Sequence, residues 1–217
     1  MIMQRLRSDG PACDRHTTRA PIGQTGEVPH EDSPTLGTKG SLLVAVPLLE
    51  EPTFHRTVIY MLQHTDEGAL GLVINRPTTQ EHVPGLDPWM HELSYPPVVF
   101  SGGPVQDNTL IALAALALDV EAEGFSSLGN GLGTVDLSLL PDELAEGLQQ
   151  LRVFRGYSGW GPGQLDNELD EGSWIVLAGG AADVFSTEPE GLWRAVLRRA
   201  GGRIALLADA PGELGWN

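Results

Sequence analysis

Two short motifs place hydrogen-bond donors next to apolar runs, where they could recognise an anion or an amide. In Glu51–Thr57, His55 and Arg56 stand just before an apolar segment, and Asn75-Arg76 follows the next one. Imidazole, guanidinium and amide groups are donors that suit an anionic ligand. We therefore predict a binding site near His55, Arg56, Asn75, Arg76 and the glycine-rich loop Gly159–Gln164. The alternative is that the arginines satisfy loop carbonyl groups.

A third motif is the glycine-dense stretch Gly156–Leu165. Its glycines allow unusual torsion angles and expose N–H groups ahead of a short helix, as in an anion-binding nest. The carboxylates of Asp166 and Glu168 follow at once and weaken the attraction for a polyanion. A structural turn that buries Trp160 is an equally weighted alternative. The candidate ligand-binding residues contributed by this stretch and by the glycine pair after Phe100 are Gly159, Trp160, Gly161, Gly163, Gln164, Ser101, Gly102 and Gly103.

The sequence does not match known signatures of catalysis. Gly156-Tyr157-Ser158-Gly159-Trp160 is close to a nucleophile elbow, but its second glycine falls one residue early. The chain has no phosphate-binding or dinucleotide-binding glycine motif, and its single cysteine, Cys13, excludes a cysteine-based zinc site. We therefore predict a protein that is not an enzyme and that uses no metal or cofactor. An unrecognised enzyme with His55 or His64 as general base stays open.

Charge restricts the class of partner. The chain has 13 lysine and arginine residues against 29 aspartate and glutamate residues, for a net charge of −16. Such an excess repels nucleic-acid phosphate. One basic cluster is a weak candidate for nucleic-acid contact, and it consists of Arg194, Arg198, Arg199 and Arg203. A solvated helix end explains this cluster better. The expected partner is a small anionic ligand or a protein, and the oligomeric state is left open.

Hydrophobic patterning places these motifs in one α+β domain. Apolar runs predict strands at Ser41–Leu49, Thr57–Gln63, Ala69–Ile74, Val98–Ser101, Leu132–Val135, Val153–Tyr157, Trp174–Ala178 and Ile204–Ala208. The second and third of these form a hairpin. Helices are predicted around Pro88–Leu93 and over Ser138–Leu151, Gln164–Glu171 and Glu188–Ala200, the last capped by Thr187. Thr109–Ala117 is buried and fits either a strand or a helix.

The first 39 residues differ from the rest in composition. Residues 1–39 are rich in proline and glycine and lack any hydrophobic period, which predicts a disordered N-terminal extension. Residues 40–217 form the predicted domain. No run of 18 apolar residues is present and the N-terminus lacks a secretory apolar core, so we expect a cytoplasmic protein without a membrane segment.

A series of motifs, in order along the chain, resembles the bacterial YqgE/AlgH family. They are Gly40–Pro47, Pro52-x-Phe54-x-Arg56-Thr57-Val58, His64, Gly68–Pro77, Phe100–Val105 and Gly156–Leu165. The resemblance implies a bent mixed β-sheet folded into a pseudo-barrel with flanking helices. It implies no catalytic residues, and members are often described as transcriptional regulators. We expect a non-enzymatic regulatory or binding protein. The alternatives are a transcriptional regulator, acting on DNA directly or through a partner, and an unrecognised enzyme.

Overall fold

One curled β-sheet organises the computed structural model, which describes residues 37–49, 51–79, 83–117, 122–129, 131–143 and 147–210. Its strands are β1 (Ser41–Ala45), β2 (Val58–Thr65), β3 (Gly68–Val73), β4 (Phe100–Ser101), β5 (Val105–Leu116), β6 (Phe125–Gly129), β7 (Leu132–Val135), β8 (Leu148–Trp160) and β9 (Trp174–Ala178). They lie in the order β6-β7-β5-β8-β3-β2-β1-β9, and β4 pairs with β8. The β4–β8 pairing is parallel and the other pairings are antiparallel. The predicted α+β class with a bent mixed sheet is confirmed.

The helices are short and cover part of the sheet. They are α1 (Gln164–Asp170), α2 (Ala181–Val184), α3 (Leu192–Ala200) and α4 (Gly202–Leu207), with 3-10 helices at Asp87–Glu92, Pro141–Glu143 and Pro189–Gly191. None of the helices in the described ranges has the length and hydrophobicity that crossing a bilayer requires.

Apolar side chains pack on both faces of the sheet. This explains why β2 is buried at every position from Val58 to Leu62, as expected of a central strand. On one face, Trp193 and its neighbours on α3 pack against β1, β2 and β3. Trp89 centres a second cluster over β5 and β8, and Trp174 belongs to a third beneath α1. The sheet is therefore the middle layer of the domain.

A buried arginine that was not singled out from the sequence joins β8 to two loops. Arg152 is 1% exposed. Its guanidinium donates hydrogen bonds to the carbonyl oxygens of Val184, Ser186 and Tyr95 at 2.8, 3.1 and 2.7 Å. It also lies 4.3 Å from the centroid of the Phe100 ring. Burial lowers the pKa of Arg152 to about 10, so the group is still charged at neutral pH.

The parallel contact between β4 and β8 requires glycine. A Cβ atom on Gly103 would overlap the backbone of Tyr157, and one on Gly102 would overlap the carbonyl oxygen of Gly156. Gly103 also has a positive φ of 150°. The glycine pair that follows Ser101 is therefore needed for strand packing.

Two predicted elements are wrong. The helix predicted over Ser138–Leu151 is a 3-10 turn at Pro141–Glu143 followed by the start of β8, with residues 144–146 outside the described part. Sheet pairing with β5 overrides helix propensity here. The strand predicted at Ile204–Ala208 lies mainly in α4. Its Ile204, Leu207 and Ala208 lie three and four residues apart, and they meet the core as one helical face.

The ends of two other elements differ from the predicted ones. The strand predicted at Ser41–Leu49 ends at Ala45, two residues before Pro47. The last long helix begins at Leu192, after a 3-10 turn, and no side chain caps it. Thr187 is therefore not its cap.

The structure shows the conformation of two further predicted segments. Thr109–Ala117 contributes most of β5, because this strand pairs with β7 on one side and β8 on the other. The helix predicted around Pro88–Leu93 is the 3-10 helix Asp87–Glu92. Residues 1–36 of the predicted extension lie outside the described part, whereas Thr38 is buried within the domain.

We expect Gly103→Ala to lower the free energy of unfolding by about 3 kcal/mol, because the new methyl group overlaps the Tyr157 backbone at a positive φ. Urea denaturation measures the change. Gly191→Ala is the matched control, since Gly191 has a helical φ of −85° and open space around it. Equal midpoints for the two variants would contradict the packing argument.

Candidate functional site

The structure brings the first predicted cluster together, and its polar groups bind one another. Asn75 is buried; its Oδ1 accepts a hydrogen bond from the Val58 N–H and its Nδ2 donates to the carbonyl of Arg56, both at 2.9 Å. Arg76 Nη2 donates to the carbonyl of His55. Burial lowers the pKa of Arg76. These contacts hold the loop that enters β2. They agree with the alternative interpretation from the sequence, in which the arginines satisfy carbonyl groups of the loop.

Arg56 itself is part of this support. Its φ is +53°, a left-handed conformation that is uncommon outside glycine. Its Nη2 donates to the carbonyl of Ala210 at 2.7 Å, and the guanidinium lies 4.9 Å from the Trp193 ring centroid. Its Nε is buried without a hydrogen-bond partner. The Asn75 side chain, which binds the Arg56 carbonyl, helps to keep this conformation.

We expect Asn75→Ala to lower the free energy of unfolding by about 2–4 kcal/mol, because it leaves the Val58 N–H and the Arg56 carbonyl unsatisfied. Chemical denaturation gives the magnitude, and hydrogen exchange at Val58 shows where protection is lost. Asn167→Ala on the exposed surface of α1 is the control. Unchanged stability in both variants would show that Asn75 does not support the loop.

The glycine-dense motif is divided between a strand and a turn. Gly159 and Trp160 are the last residues of β8, and Gly161–Gly163 lead into α1, which begins at Gln164 as predicted. The N–H of Gly161 donates to Oε1 of Gln164 at 3.1 Å. One of the N–H groups expected to meet a ligand is thus occupied within the chain.

A carboxylate on α1 fixes two tryptophans. Glu168 Oε2 accepts hydrogen bonds from the indole N–H groups of Trp160 and Trp174 at 2.9 and 2.8 Å. Its Oε1 accepts from Gln164 at 2.9 Å. The two indole rings meet edge to face, with centroids 6.1 Å apart. The acidic residue that weakened an anion-binding interpretation therefore anchors the helix to the sheet.

His64 connects three segments of the domain. Its Nδ1 lies 3.1 Å from the Thr38 hydroxyl, and its Nε2 lies 3.5 Å from a carboxylate oxygen of Asp166. The His64 side chain is 4% exposed. This hydroxyl–imidazole–carboxylate array ties the start of the domain to β2 and α1.

An open groove of about 460 Å³ lies where β8 reaches the β2–β3 hairpin. It contains three of the predicted residues, and its lining is Gln63, Thr65, Glu67, Gly68, Ala69, Leu70, Val105, Tyr157, Gly159, Trp160 and Gly161. Leu70, Val105 and Tyr157 are partly exposed here and give the walls apolar and aromatic surface, beside the exposed polar side chains of Gln63, Thr65 and Glu67. Gly68 permits the close approach, because a Cβ there would overlap the Trp160 carbonyl oxygen.

The predicted basic cluster is partly neutralised. Arg198 pairs with Asp209 at 2.8 Å, and Arg199 contacts both carboxylate oxygens of Asp183 at 2.6 and 3.2 Å. Within the described residues, Arg194 and Arg203 are exposed and form no ion pair. The same ranges contain no group of three or more histidine, cysteine or acidic side chains arranged to hold a metal ion.

The AlgH-like family model, DUF179, matches residues 42–205. The chain belongs to the AlgH-like family. A UPF0301 protein of Thermobifida fusca is 45% identical over 187 residues, covering 82% of this chain and 94% of that protein. A UPF0301 protein of Streptomyces avermitilis is 42% identical over 182 residues, with the same coverages of 82% and 94%.

Two solved structures share the curled sheet of this AlgH-like protein. A crystal structure of a Corynebacterium diphtheriae protein has a TM-score of 0.74 at 26% identity and covers 79% of this chain and 92% of its own. The solution structure of the AlgH protein from Pseudomonas aeruginosa has a TM-score of 0.61 at 29% identity, covering 84% and 98%. Neither name states a ligand or an activity, so function has to be argued from the site.

Sequence reasoning missed residues that the AlgH-like fold brings to the groove. Leu70 and Val105 lie on strands that flank β8 at its outer end, and Glu67 lies in the hairpin turn. The hairpin itself was predicted, but its pairing with the glycine-dense end of β8 was not. Such pairing depends on the sheet order, for which the local pattern carries no signal.

We expect Glu168→Gln to lower the free energy of unfolding by about 1–3 kcal/mol, because an amide cannot accept from both indole N–H groups and from Gln164 as the carboxylate does. Thermal unfolding measures the loss, and near-ultraviolet circular dichroism monitors the two tryptophans. Asp170→Asn, on the exposed end of the same helix, is the control. An intact tryptophan signal with no loss of stability would contradict the role given to Glu168.

Proposed function

We propose that this AlgH-like protein is a non-enzymatic regulatory protein of the cytoplasm that binds a protein partner in the groove at the end of β8. The observation that carries the proposal is the composition of the groove. Its walls combine the apolar side chains of Leu70 and Val105 with the ring of Tyr157, and Glu67 is the charged group in its lining. Partly exposed aromatic and aliphatic side chains of this kind are typical anchors at protein interfaces.

Between the two ligand classes expected from the sequence, the contacts favour a protein over a small anion at this place. Arg56 and Arg76 donate to backbone carbonyls, and the groove lining contains a carboxylate but no cation. A basic or polar segment of a partner would complement Glu67, whereas an anion would be repelled by it.

The floor of the groove is closely packed. Trp160 is 7% exposed and is held by Glu168, while Gly68 lies directly against the Trp160 backbone. Binding to a surface that is already ordered avoids part of the entropy cost of association.

Burial supports the non-enzymatic part of the proposal. Of the two histidines that could act as a base, His64 has a side chain that is only 4% exposed, and Thr38 beside it is also buried, whereas His55 is partly exposed. A general base must come within hydrogen-bond reach of the proton that it removes.

Regulation of transcription through a protein partner is compatible with this proposal, whereas direct contact with DNA has less support. The net charge of −16 opposes approach to phosphate. Arg198 and Arg199 are also already paired with carboxylates of the same chain.

A photo-crosslinking amino acid at Gln63, which is exposed in the groove, tests the proposal in living cells. We expect a discrete protein adduct from this position and none from Asp142, an exposed residue outside the groove. Adding Glu67→Arg should reduce the adduct about tenfold by reversing the charge of the lining. Identical adducts from both positions, or none, would overturn the proposed groove; an adduct to nucleic acid would favour the alternative.

A further inference from the structure

A large bulge separates two parts of the β5–β8 pairing. Val105 pairs with Tyr157 and Leu110 pairs with Arg155, so residues 106–109 of β5 oppose Gly156 alone. Bulges of this kind redirect side chains and are common beside functional sites.

The bulge is held in an unusual backbone conformation. Gln106 has a positive φ of 48°, which is uncommon for a residue other than glycine. Gly156 also has a positive φ, of 67°, and a Cβ there would lie 2.5 Å from the Gly103 carbonyl oxygen and 3.4 Å from the Asp107 Cα. The bulged segment therefore folds tightly against β8, and its conformation is imposed by the surrounding packing.

The bulge forms one wall of a cavity of about 410 Å³, a size usual for small-molecule sites. Its lining is Val83, Pro84, Asp107, Asn108, Leu110 and Arg155. None of these residues lines the groove proposed for the protein partner.

The cavity contains two opposite charges that do not neutralise each other. Within the described residues, the guanidinium of Arg155 forms no hydrogen bond or ion pair, although Asp107 lines the same cavity. This distinguishes Arg155 from Arg152, which is bound to three carbonyls, and from Arg199, which is paired with a carboxylate.

The pair of charges selects the kind of ligand. A simple anion would be attracted by Arg155 but repelled by Asp107, and it would also meet the strongly negative charge of the whole chain. A simple cation would meet the reverse conflict. A molecule that carries both charges a few atoms apart satisfies both side chains, and it has no net charge to be repelled.

We propose that this cavity binds an apolar α-amino acid as its zwitterion. The Arg155 guanidinium and the Asn108 amide hold the carboxylate, since both are donors suited to it, and Asp107 holds the ammonium group. The apolar side chain of the ligand lies against Val83 and Leu110. This site goes beyond the proposed partner-binding function, because an amino acid bound here would be a separate signal.

Nuclear magnetic resonance titration of the full chain tests the site. The probes are L-leucine, L-methionine and L-phenylalanine, added one at a time at millimolar concentration while the Arg155 Nε–H and the Asn108 amide signals are followed. We expect saturable shifts with at least one of them. For leucine, the matched analogues are isocaproate, which lacks the ammonium group, and isoamylamine, which lacks the carboxylate. Both should bind about tenfold or more weakly than leucine.

Variants separate this site from general charge effects. Arg155→Gln should abolish saturable binding, and Asp107→Asn should reduce the preference for leucine over isocaproate. Arg194→Gln, which removes an exposed arginine on α3, should leave binding unchanged. The proposal is overturned if no probe saturates, if isocaproate binds as tightly as leucine, or if Arg155→Gln still binds. None of these outcomes depends on whether the groove binds a protein.

Discussion

The backbone of Gly102 and Gly103 lies so close to β8 that neither position has room for a Cβ atom. Much of the surrounding structure depends on this close contact. It allows β4 to pair in parallel with β8 in a sheet whose other pairings are antiparallel. β8 can then pair with β5 along most of its length and with β3 at its end. These two partners lie on opposite sides of β8 in the strand order. The pairing with β3 brings the glycine-dense end of β8 to the β2–β3 hairpin, where the groove forms.

Several arginines in the described part of this acidic protein donate hydrogen bonds to backbone oxygen atoms. Arg152 joins two loops to β8, Arg76 holds the loop before β2, and Arg56 reaches the carbonyl of Ala210 after α4. A buried guanidinium needs several acceptors because it has five N–H groups. Loops without regular hydrogen bonding provide free carbonyls in the positions required. Like the exposed Arg194 and Arg203, Arg155 has no side-chain partner within the described residues, but it is partly buried and lines a cavity, which suggests a ligand.

The spacing of polar residues along the chain predicts part of the candidate site. His55, Arg56, Asn75 and Arg76 meet because a hairpin brings the entry to β2 and the exit from β3 to the same end of the sheet. The Gly159–Gln164 loop of the same predicted site lies apart from them, because Gly159 and Trp160 pair with Leu70 and Ala69 near the hairpin turn. Spacing does not determine where a donor points, so it could not distinguish a ligand from a neighbouring carbonyl. In the glycine-dense motif, Trp160 is buried and held by Glu168. Arg155 was missed altogether, since an arginine inside an apolar strand carries no signal of an adjacent cavity.

The sequence by itself determined the family, the α+β class, the central hairpin and the strands whose alternation or continuous apolarity depends on burial. It also determined the strongly acidic charge, which limits the class of partner. Only the tertiary structure decided the states of Leu148–Leu151 and Ile204–Leu207, because short apolar segments take the conformation that their packing partners impose. The groove and the Arg155 cavity also depend on the tertiary structure. Each is lined by residues far apart in the chain, and their proximity follows from strand order and from a bulge that no local pattern encodes.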